Sequence, residues 1–316
     1  MDPICGLIYD EYFEKHLTGP GHPENAKRAT QVYRGLTQKK LLESSVVLPP
    51  QPVDEKLLQL IHDPAYLKQA KEDIKLGKSN LSTGDTSICK DSWSVALRAS
   101  GSVILAVDQL FSGKLKRAFC VSRPPGHHAT PNKGMGFCIF NHVALAARYA
   151  QEKYGIGKVL IVDWDVHHGN GTQDIFYEDE SVFFMSSHQY PWYPGTGSAV
   201  ETGKGKGLGS TLNFPLPAGT GKKEIVHDAF GEELQKRMDS YRPELVLISA
   251  GFDSRLGDPL GQFTLMDEDF ADLTKIVCGI ASQHAEDKVI SVLEGGYDFA
   301  GLSNAASAHY KVFSSV

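Results

Sequence analysis

The segment that decides the fold is KVLIVDWDVHHGNGTQ, residues 158–173. It opens with the continuous apolar run Val159–Val162, the pattern of a parallel strand that is buried on both faces. Acidic and imidazole side chains follow this run at once, at Asp163, Asp165 and His167. Such groups are costly beside a buried strand unless they are paired or bind a metal. The segment therefore predicts a parallel α/β sheet with a polar site at its strand ends.

The rest of the chain repeats this alternation of short apolar runs and longer helical patterns. Strands are expected at Cys5–Tyr9, Arg117–Ser122, Lys158–Asp163, Ser181–Ser187, Leu245–Ala250 and Lys288–Glu294. Helices are expected at Glu24–Leu42, Pro64–Leu76, Ser92–Phe111, His142–Tyr154, Lys222–Tyr241, Glu268–Ala285 and Ala300–Phe313. Alternation of this kind favours a mostly parallel sheet with helices on both faces. There is no Pro/Ser-rich linker and no repeat, so a single domain spanning residues 1–316 is expected.

Composition excludes several classes of protein. The 316 residues are 41% hydrophobic, enough for a sizeable core, and a net charge of −6 without a Lys/Arg run argues against direct nucleic-acid binding. Five scattered cysteines without a CxxC pair favour a reducing compartment over a disulfide framework. No signal peptide is evident, and no apolar run approaches the ~18 residues that span a bilayer, so no membrane association is expected. A cytoplasmic or otherwise intracellular location is expected, with non-classical export and nuclear entry left open.

Polar residues gather after four of the expected strands. In an open parallel sheet, ligands bind beyond the carboxyl ends of the strands. The segments at these ends are RPPGHH at 123–128, DWDVHHGNG at 163–171, AGFD at 250–253 and EGGY at 294–297. We therefore expect histidines, carboxylates and a tyrosine to meet at one rim of the sheet.

Three of these residues form a candidate metal site. Asp165 and His167 lie two apart and point to the same side of an extended backbone. With Asp253 they supply three ligands and leave a fourth position open, as in a catalytic zinc site. The alternative for this pair alone is a helix cap with ordinary polar neighbours, but the other polar strand ends weigh against it.

The adjacent residues His127 and His128 suggest proton transfer beside the metal, since imidazole changes charge near neutral pH. Asp163 and Asn170 could orient the two rings. Tyr297 could donate its hydroxyl to a developing oxyanion. Taken singly, each histidine could be a core or surface residue, and Tyr297 a packed loop aromatic.

The long irregular stretch Gln189–Gly209 is rich in glycine, proline and aromatic residues, and a loop of this length in a compact domain is usually functional. Its segment GKGKGLG, residues 203–209, lacks the spacing and the following helix of a phosphate-binding loop.

Together the four segments resemble the zinc-dependent histone deacetylase superfamily, which also holds acetylpolyamine amidohydrolases and acetoin-utilisation proteins. The resemblance runs from about Gly21 to Asp298. The residues His22-Pro23-Glu24 are similar to an early loop of the family, although Asn25 and Ala26 depart from it. The resemblance implies an arginase-like, open α/β sheet of eight parallel strands.

The resemblance also implies a role for each site residue. Asp165, His167 and Asp253 match the ligands of one zinc ion, His127 and His128 the tandem catalytic histidines, Asp163 the carboxylate behind the first of them, and Tyr297 the tyrosine that polarises the substrate carbonyl. Asn170 matches class II enzymes, where class I enzymes carry aspartate. A neutral amide at Asn170 should favour the charged form of His128 less than a carboxylate would.

Further residues resemble a substrate tunnel and two potassium sites. Phe137, which follows Gly136, and Tyr193 match the tunnel-wall aromatics, although the second is usually phenylalanine in eukaryotic members. Asp85 matches an acid that grips the substrate backbone, and Arg28 a residue near the product-release channel. Residues similar to the two structural K⁺ sites are Asp163, Asp165, His167, Ser186 and Ser187 for the first, and Phe176, Asp179 and Val182 for the second.

The function predicted from the sequence is zinc-dependent hydrolysis of the amide of N6-acetyl-lysine, or a related acyl-lysine, in a protein or peptide. The expected partners are acetylated proteins or peptides, histone tails among them. An acetylpolyamine amidohydrolase is a competing hypothesis, but the residue at Leu260 is a glutamate in polyamine-specialised members. A two-manganese ureohydrolase, which needs more bridging carboxylates, and a catalytically silent acyl-lysine binding module are competing hypotheses as well.

Overall fold

The computed structural model describes residues 5–315. Within this range, eight strands form one sheet in the order β2-β1-β3-β8-β7-β4-β5-β6, and every neighbouring pair is parallel. The strands are β1 Cys5–Ile8, β2 Val46–Leu48, β3 Arg117–Cys120, β4 Val159–Asp163, β5 Val182–Gln189, β6 Thr211–Leu216, β7 Leu245–Ala250 and β8 Val289–Leu293. The parallel sheet predicted from the sequence is confirmed, with the eight strands that the family resemblance implies.

Helices cover both faces of this sheet, as expected. They are α1 Arg28–Gln38, α2 Pro64–Lys75, α3 Ser92–Phe111, α4 His142–Tyr154, α5 Asn170–Phe176, a π-helix Lys223–Leu234 that continues into α6 Gln235–Tyr241, α7 Asp267–His284 and α8 Phe299–Phe313. Successive strand side chains point to opposite faces. On β4, Leu160 and Val162 therefore belong to one apolar core, whereas Val159 and Ile161 belong to the other.

Within the described residues, the structure adds two strands and one α-helix that the sequence did not predict, together with three 3₁₀-helices at Glu11–Lys15, Glu55–Leu60 and Gly205–Gly207. The edge strand β2 has only three residues and is partly exposed, and the opposite edge strand β6 mixes buried with half-buried positions. Neither strand reads as a continuous apolar run. The short helix α5 begins directly after the segment that carries Asp165 and His167. In addition, α1 begins at Arg28 rather than Glu24, and the Asn25 side chain accepts the N–H of Lys27 in a local turn just before it.

Helix α3 corrects the expectation that no apolar segment approaches the ~18 residues that span a bilayer. Its 20 residues, with a mean hydropathy of 1.2, are long and apolar enough by length and composition alone to cross a bilayer. In the fold, however, α3 contacts α4 and β3, and residues such as Val95, Ala99 and Val103 are buried. The core helix of a soluble protein has this same character.

The strand order explains why the polar segments meet. Strands β3, β8, β7 and β4 are consecutive in the sheet and parallel, so their carboxyl ends lie side by side at one rim. The four polar segments identified in the sequence each follow one of these strands. The order of the parallel strands is therefore enough to bring these segments together.

Candidate metal centre

The donor atoms of Asp165, His167 and Asp253 lie within 4.8 Å of one another. Nδ1 of His167 is 2.9 Å from Oδ1 of Asp165 and 3.2 Å from Oδ2 of Asp253. All three residues are buried. The first two follow β4 and the third follows β7, its neighbour in the sheet, so the cluster is built on rigid strand ends.

Two glycines leave the space that the carboxylates occupy. A Cβ atom at Gly251 would lie 2.2 Å from Oδ2 of Asp165, and one at Gly295 would lie 1.9 Å from Oδ2 of Asp253. Backbone groups then orient both acids. The N–H of Gly295 donates to Asp165 at 2.8 Å, and that of Val166 donates to Asp253 at 2.9 Å. Any side chain at either glycine would displace a carboxylate oxygen.

The cluster fits a divalent cation. Within the described residues, the buried Oδ2 of Asp253 has no hydrogen-bond partner of suitable geometry, although Nδ1 of His167 approaches it to 3.2 Å, whereas buried polar atoms in native proteins are nearly always partnered. Burial, reinforced by the neighbouring charge of Asp165, raises the pKa of Asp253 to about 7. A bound cation would offset the repulsion between the negative charges of Asp165 and Asp253. Two carboxylate oxygens and one imidazole nitrogen are ligands that zinc accepts, and three protein ligands leave a position open.

The tandem histidines lie beside this cluster in unlike surroundings. Nδ1 of His127 is 2.9 Å from Oδ2 of Asp163, whereas Nδ1 of His128 is 2.8 Å from Oδ1 of Asn170. Burial by itself would lower the pKa of His127, but the carboxylates of Asp163 and Asp165 outweigh it and hold that pKa well above its usual value. Burial, with His127 as the next cause, holds the pKa of His128 well below its usual value.

A cavity of about 270 Å³ leads to the cluster. Its lining includes all five residues that the sequence predicts for substrate binding, which are Asp85, Gly136, Phe137, Tyr193 and Leu260, together with His128, His167 and Tyr297. Trp192 and Pro259 also line it, and sequence reasoning missed both. Each immediately precedes a predicted tunnel residue, and this position in the sequence is the feature that could have identified them.

Aromatic rings form the walls of the cavity. The ring centroid of Phe137 lies 5.9 Å from that of Tyr297 and 4.8 Å from that of His22, both in edge-on geometry. On the other side, the Tyr193 ring lies 5.2 Å from His128. The backbone of Phe137 is left-handed, with φ of 67°. A non-glycine residue in this region stores about 1–3 kcal/mol of strain, and such strain clusters at functional sites.

Side-chain hydrogen bonds connect the loops at the mouth of the cavity. One carboxylate oxygen of Asp85 accepts the N–H of Gly136 at 2.8 Å and the hydroxyl of Tyr193 at 3.3 Å. The indole N–H of Trp192 donates to the carbonyl of Leu260 at 2.9 Å. The hydroxyl that distinguishes Tyr193 from the phenylalanine usual in eukaryotic members therefore contacts Asp85.

Tyr297 packs against a buried arginine. The Arg28 guanidinium lies 4.8 Å from the centre of the Tyr297 ring and donates to the Gly296 carbonyl at 2.7 Å. Arg28 also forms an ion pair with Glu24. Burial raises the pKa of Tyr297 well above its usual value, so its hydroxyl keeps a proton to donate.

The residues expected at the first potassium site lie close together in the sheet. Asp163 on β4 pairs with Ser186 on β5, and the buried hydroxyl of Ser187 has no hydrogen-bond partner among residues 5–315. The second group, Phe176, Asp179 and Val182, lies in the connection from α5 to β5. There the Asp179 carboxylate is paired with Arg148 at 2.6 Å.

Comparisons with known proteins agree with this geometry. Residues 22–313 match the model of the histone deacetylase domain. A probable deacetylase of Archaeoglobus fulgidus is 35% identical over 94% of this chain and 82% of its own length. A histone deacetylase-like amidohydrolase of Pseudomonas aeruginosa is 35% identical over 95% of this chain and 79% of its own length.

A solved structure is similar over nearly the whole fold. The crystal structure of the HDA15 HD domain superposes with a TM-score of 0.92 at 32% identity, covering 99% of this chain and 90% of that one. This similarity supports the arginase-like sheet that the sequence resemblance implied. The chain therefore belongs to the histone deacetylase family of hydrolases.

Proposed function

We propose that this protein hydrolyses the amide of acyl-lysine in proteins or peptides with one zinc ion held by Asp165, His167 and Asp253. The observation that carries the proposal is the convergence of these three donors at the end of an aromatic cavity that also exposes His128 and Tyr297. A bound zinc ion would supply Lewis-acid polarisation of the acyl carbonyl and of the attacking water.

The histidines move the protons in this mechanism. His128 lines the cavity, whereas His127 contacts Asp163 through Nδ1 and lies 3.9 Å from Oδ1 of Asp165 through Nε2. The pair removes a proton from the attacking water and returns it to the departing lysine amine. Asp163 and Asn170 fix the orientation of the two rings through their Nδ1 atoms.

Tyr297 and the cavity walls account for the rest of the chemistry. The protonated hydroxyl of Tyr297 donates to the oxyanion that develops on the acyl carbonyl. Phe137 and Tyr193 enclose the apolar stem of the lysine and hold the amide in line with the histidines. Acetate, or the corresponding acid, and free lysine are the products.

The proposed substrate is acyl-lysine in a peptide, histone tails included, rather than an acetylated polyamine. Leu260 lines the cavity and carries no charge, so the second ammonium of a polyamine would enter without a partner there. This loss is about 1–3 kcal/mol for a partly desolvated charge. Asp85 at the mouth is the other residue that could meet such a cation, so acetylpolyamine hydrolysis is the second candidate function.

Two structural potassium ions are part of the proposal. The buried, unpartnered hydroxyl of Ser187 supports the first site, with Ser186 and the segment from Asp163 to His167 beside it. Asp179 and its neighbours in the α5–β5 connection would hold the second. Oxygen donors of this kind suit a hard cation.

A side-by-side assay tests the proposed function. The zinc-loaded protein is given an acetyl-lysine peptide, the same peptide with longer acyl groups, and N8-acetylspermidine, and kcat/KM is measured for each. We expect the acetyl- or acyl-lysine peptide to be the best substrate. If kcat/KM for acetylspermidine is at least tenfold higher than for the peptide, the function is polyamine hydrolysis instead.

A further inference from the structure

We propose that Glu294, at the end of β8, is a positioning residue that fixes the turn carrying the tandem histidines. This inference rests on the proposed function, in which His127 and His128 move the protons. Glu294 begins the polar segment that follows β8 and is not among the site residues predicted from the sequence. It acts through the backbone of the turn and does not touch the substrate.

The Glu294 carboxylate is fully buried and uses both of its oxygens. Oε2 accepts the N–H of Gly126 at 2.6 Å and the N–H of His127 at 3.1 Å. Oε1 accepts the hydroxyl of Ser249, on the neighbouring strand β7, at 3.2 Å. Burial of a carboxylate is costly, so a single oxygen that gathers two adjacent backbone N–H groups marks a position that is closely specified.

The turn is clamped on its other side as well. Nε2 of His142 donates to the carbonyl of Pro124 at 3.1 Å. A Cβ atom at Gly126 would lie 2.8 Å from the backbone nitrogen of His142 and 2.9 Å from the carbonyl oxygen of Phe140. These contacts block movement of the turn away from Glu294 toward α4. Glu294 restricts the movements of the turn that remain possible.

The position of this turn determines where both imidazoles lie. The His127 and His128 rings are adjacent, with centroids 4.0 Å apart, so a shift of their shared backbone moves them together. A displacement of about 1 Å at reacting groups can lower a rate ~10²-fold. Because Phe137 and Tyr193, which would enclose the lysine stem, belong to other segments, such a shift should change kcat and leave KM nearly unaffected.

Three substitutions at Glu294 distinguish the effect of the position of its acceptor oxygen from the effect of its negative charge. Glu294→Gln keeps an oxygen at the same reach without the charge, Glu294→Asp keeps the charge but shortens the side chain, and Glu294→Ala removes both. We expect kcat on an acetyl-lysine peptide to fall roughly 10–100-fold in Glu294→Ala, to fall less in Glu294→Asp and to stay within about threefold of wild type in Glu294→Gln, with KM nearly constant. Ser249→Ala is the matched control, since it touches only the other oxygen, and should change kcat less than threefold.

Hydrogen exchange gives a readout that does not depend on activity. The amides of residues 126 and 127 should exchange faster in Glu294→Ala and should stay protected in Glu294→Gln, while zinc content is equal in both. If wild-type protein shows no amidase activity, the proposed function fails, but these exchange rates still test the positioning role. The proposal would be overturned by wild-type kcat in Glu294→Ala, by wild-type kcat in Glu294→Asp together with an inactive Glu294→Gln, or by loss of fold or zinc in Glu294→Gln.

Discussion

The floor and the mouth of the cavity are built in different ways. The floor is the set of residues at the strand ends, Asp165, His167, Asp253, His127 and His128, and all of these are buried and fixed by short contacts. The mouth is formed by Asp85, Tyr193, Trp192 and Leu260, which come from three loops and are at least partly exposed. Substitutions in the floor should therefore remove metal or rate, whereas substitutions in the mouth should change which substrate is preferred.

The largest effect is expected at the floor, from Asp253→Ala. Loss of one of three ligands should remove the zinc and lower activity by at least ~10³-fold, since metal polarisation is worth several kcal/mol. The protein should stay folded, because the main new cost is an unsatisfied N–H at Val166 of about 1–3 kcal/mol. Zinc content, circular dichroism and kcat measure these outcomes. The control is Asp272→Ala on the surface of α7, and full activity in metal-free Asp253→Ala protein would disprove the ligand assignment.

The next largest effect is expected from Tyr297→Phe, where the floor meets the tunnel. Loss of one oxyanion donor typically lowers kcat ~10²–10³-fold, and KM should change little because the ring is retained. Steady-state kinetics on an acetyl-lysine peptide measure both constants, with Tyr190→Phe as a control on a half-exposed tyrosine outside the cavity lining. A decrease smaller than about threefold would show that Tyr297 only packs against Arg28.

At the mouth, Leu260→Glu should change selectivity rather than rate. A carboxylate at this position can pair with the second ammonium of a polyamine, and the ratio of kcat/KM for N8-acetylspermidine over the peptide should rise about tenfold or more. Leu260→Gln has the same size without the charge and serves as the matched control. An equal rise in both variants would mean that shape and not charge sets the preference.

The smallest effect is expected from Tyr193→Phe. This change removes the hydroxyl that holds Asp85 and leaves the tunnel wall intact, so KM for a peptide should rise about two- to threefold at unchanged kcat. Free N-acetyl-lysine, which lacks the flanking peptide, should be unaffected. A similar change for both substrates would place the effect in the tunnel rather than at the mouth.

The strand pattern predicts the floor directly, whereas Asp85, Tyr193 and Leu260 at the mouth are expected only from the family resemblance, and the reason is physical. The floor follows continuous apolar runs such as Val159–Val162, and parallel strands must deliver their carboxyl ends to one rim. The mouth depends on contacts between distant loops, such as that of Tyr193 with Asp85, 108 residues away. No periodicity specifies such a contact, and for that reason Trp192 and Pro259 were missed. The edge strands β2 and β6 were missed because their partly exposed positions give no continuous apolar run.

One zinc titration tests the central proposal most directly. Zinc is added in steps to metal-free protein while hydrolysis of an acetyl-lysine peptide is followed. The arrangement of Asp165, His167 and Asp253 predicts that activity rises in proportion to zinc and reaches its plateau at one ion per chain. Full activity without metal, or a requirement for two manganese ions per chain, would contradict it.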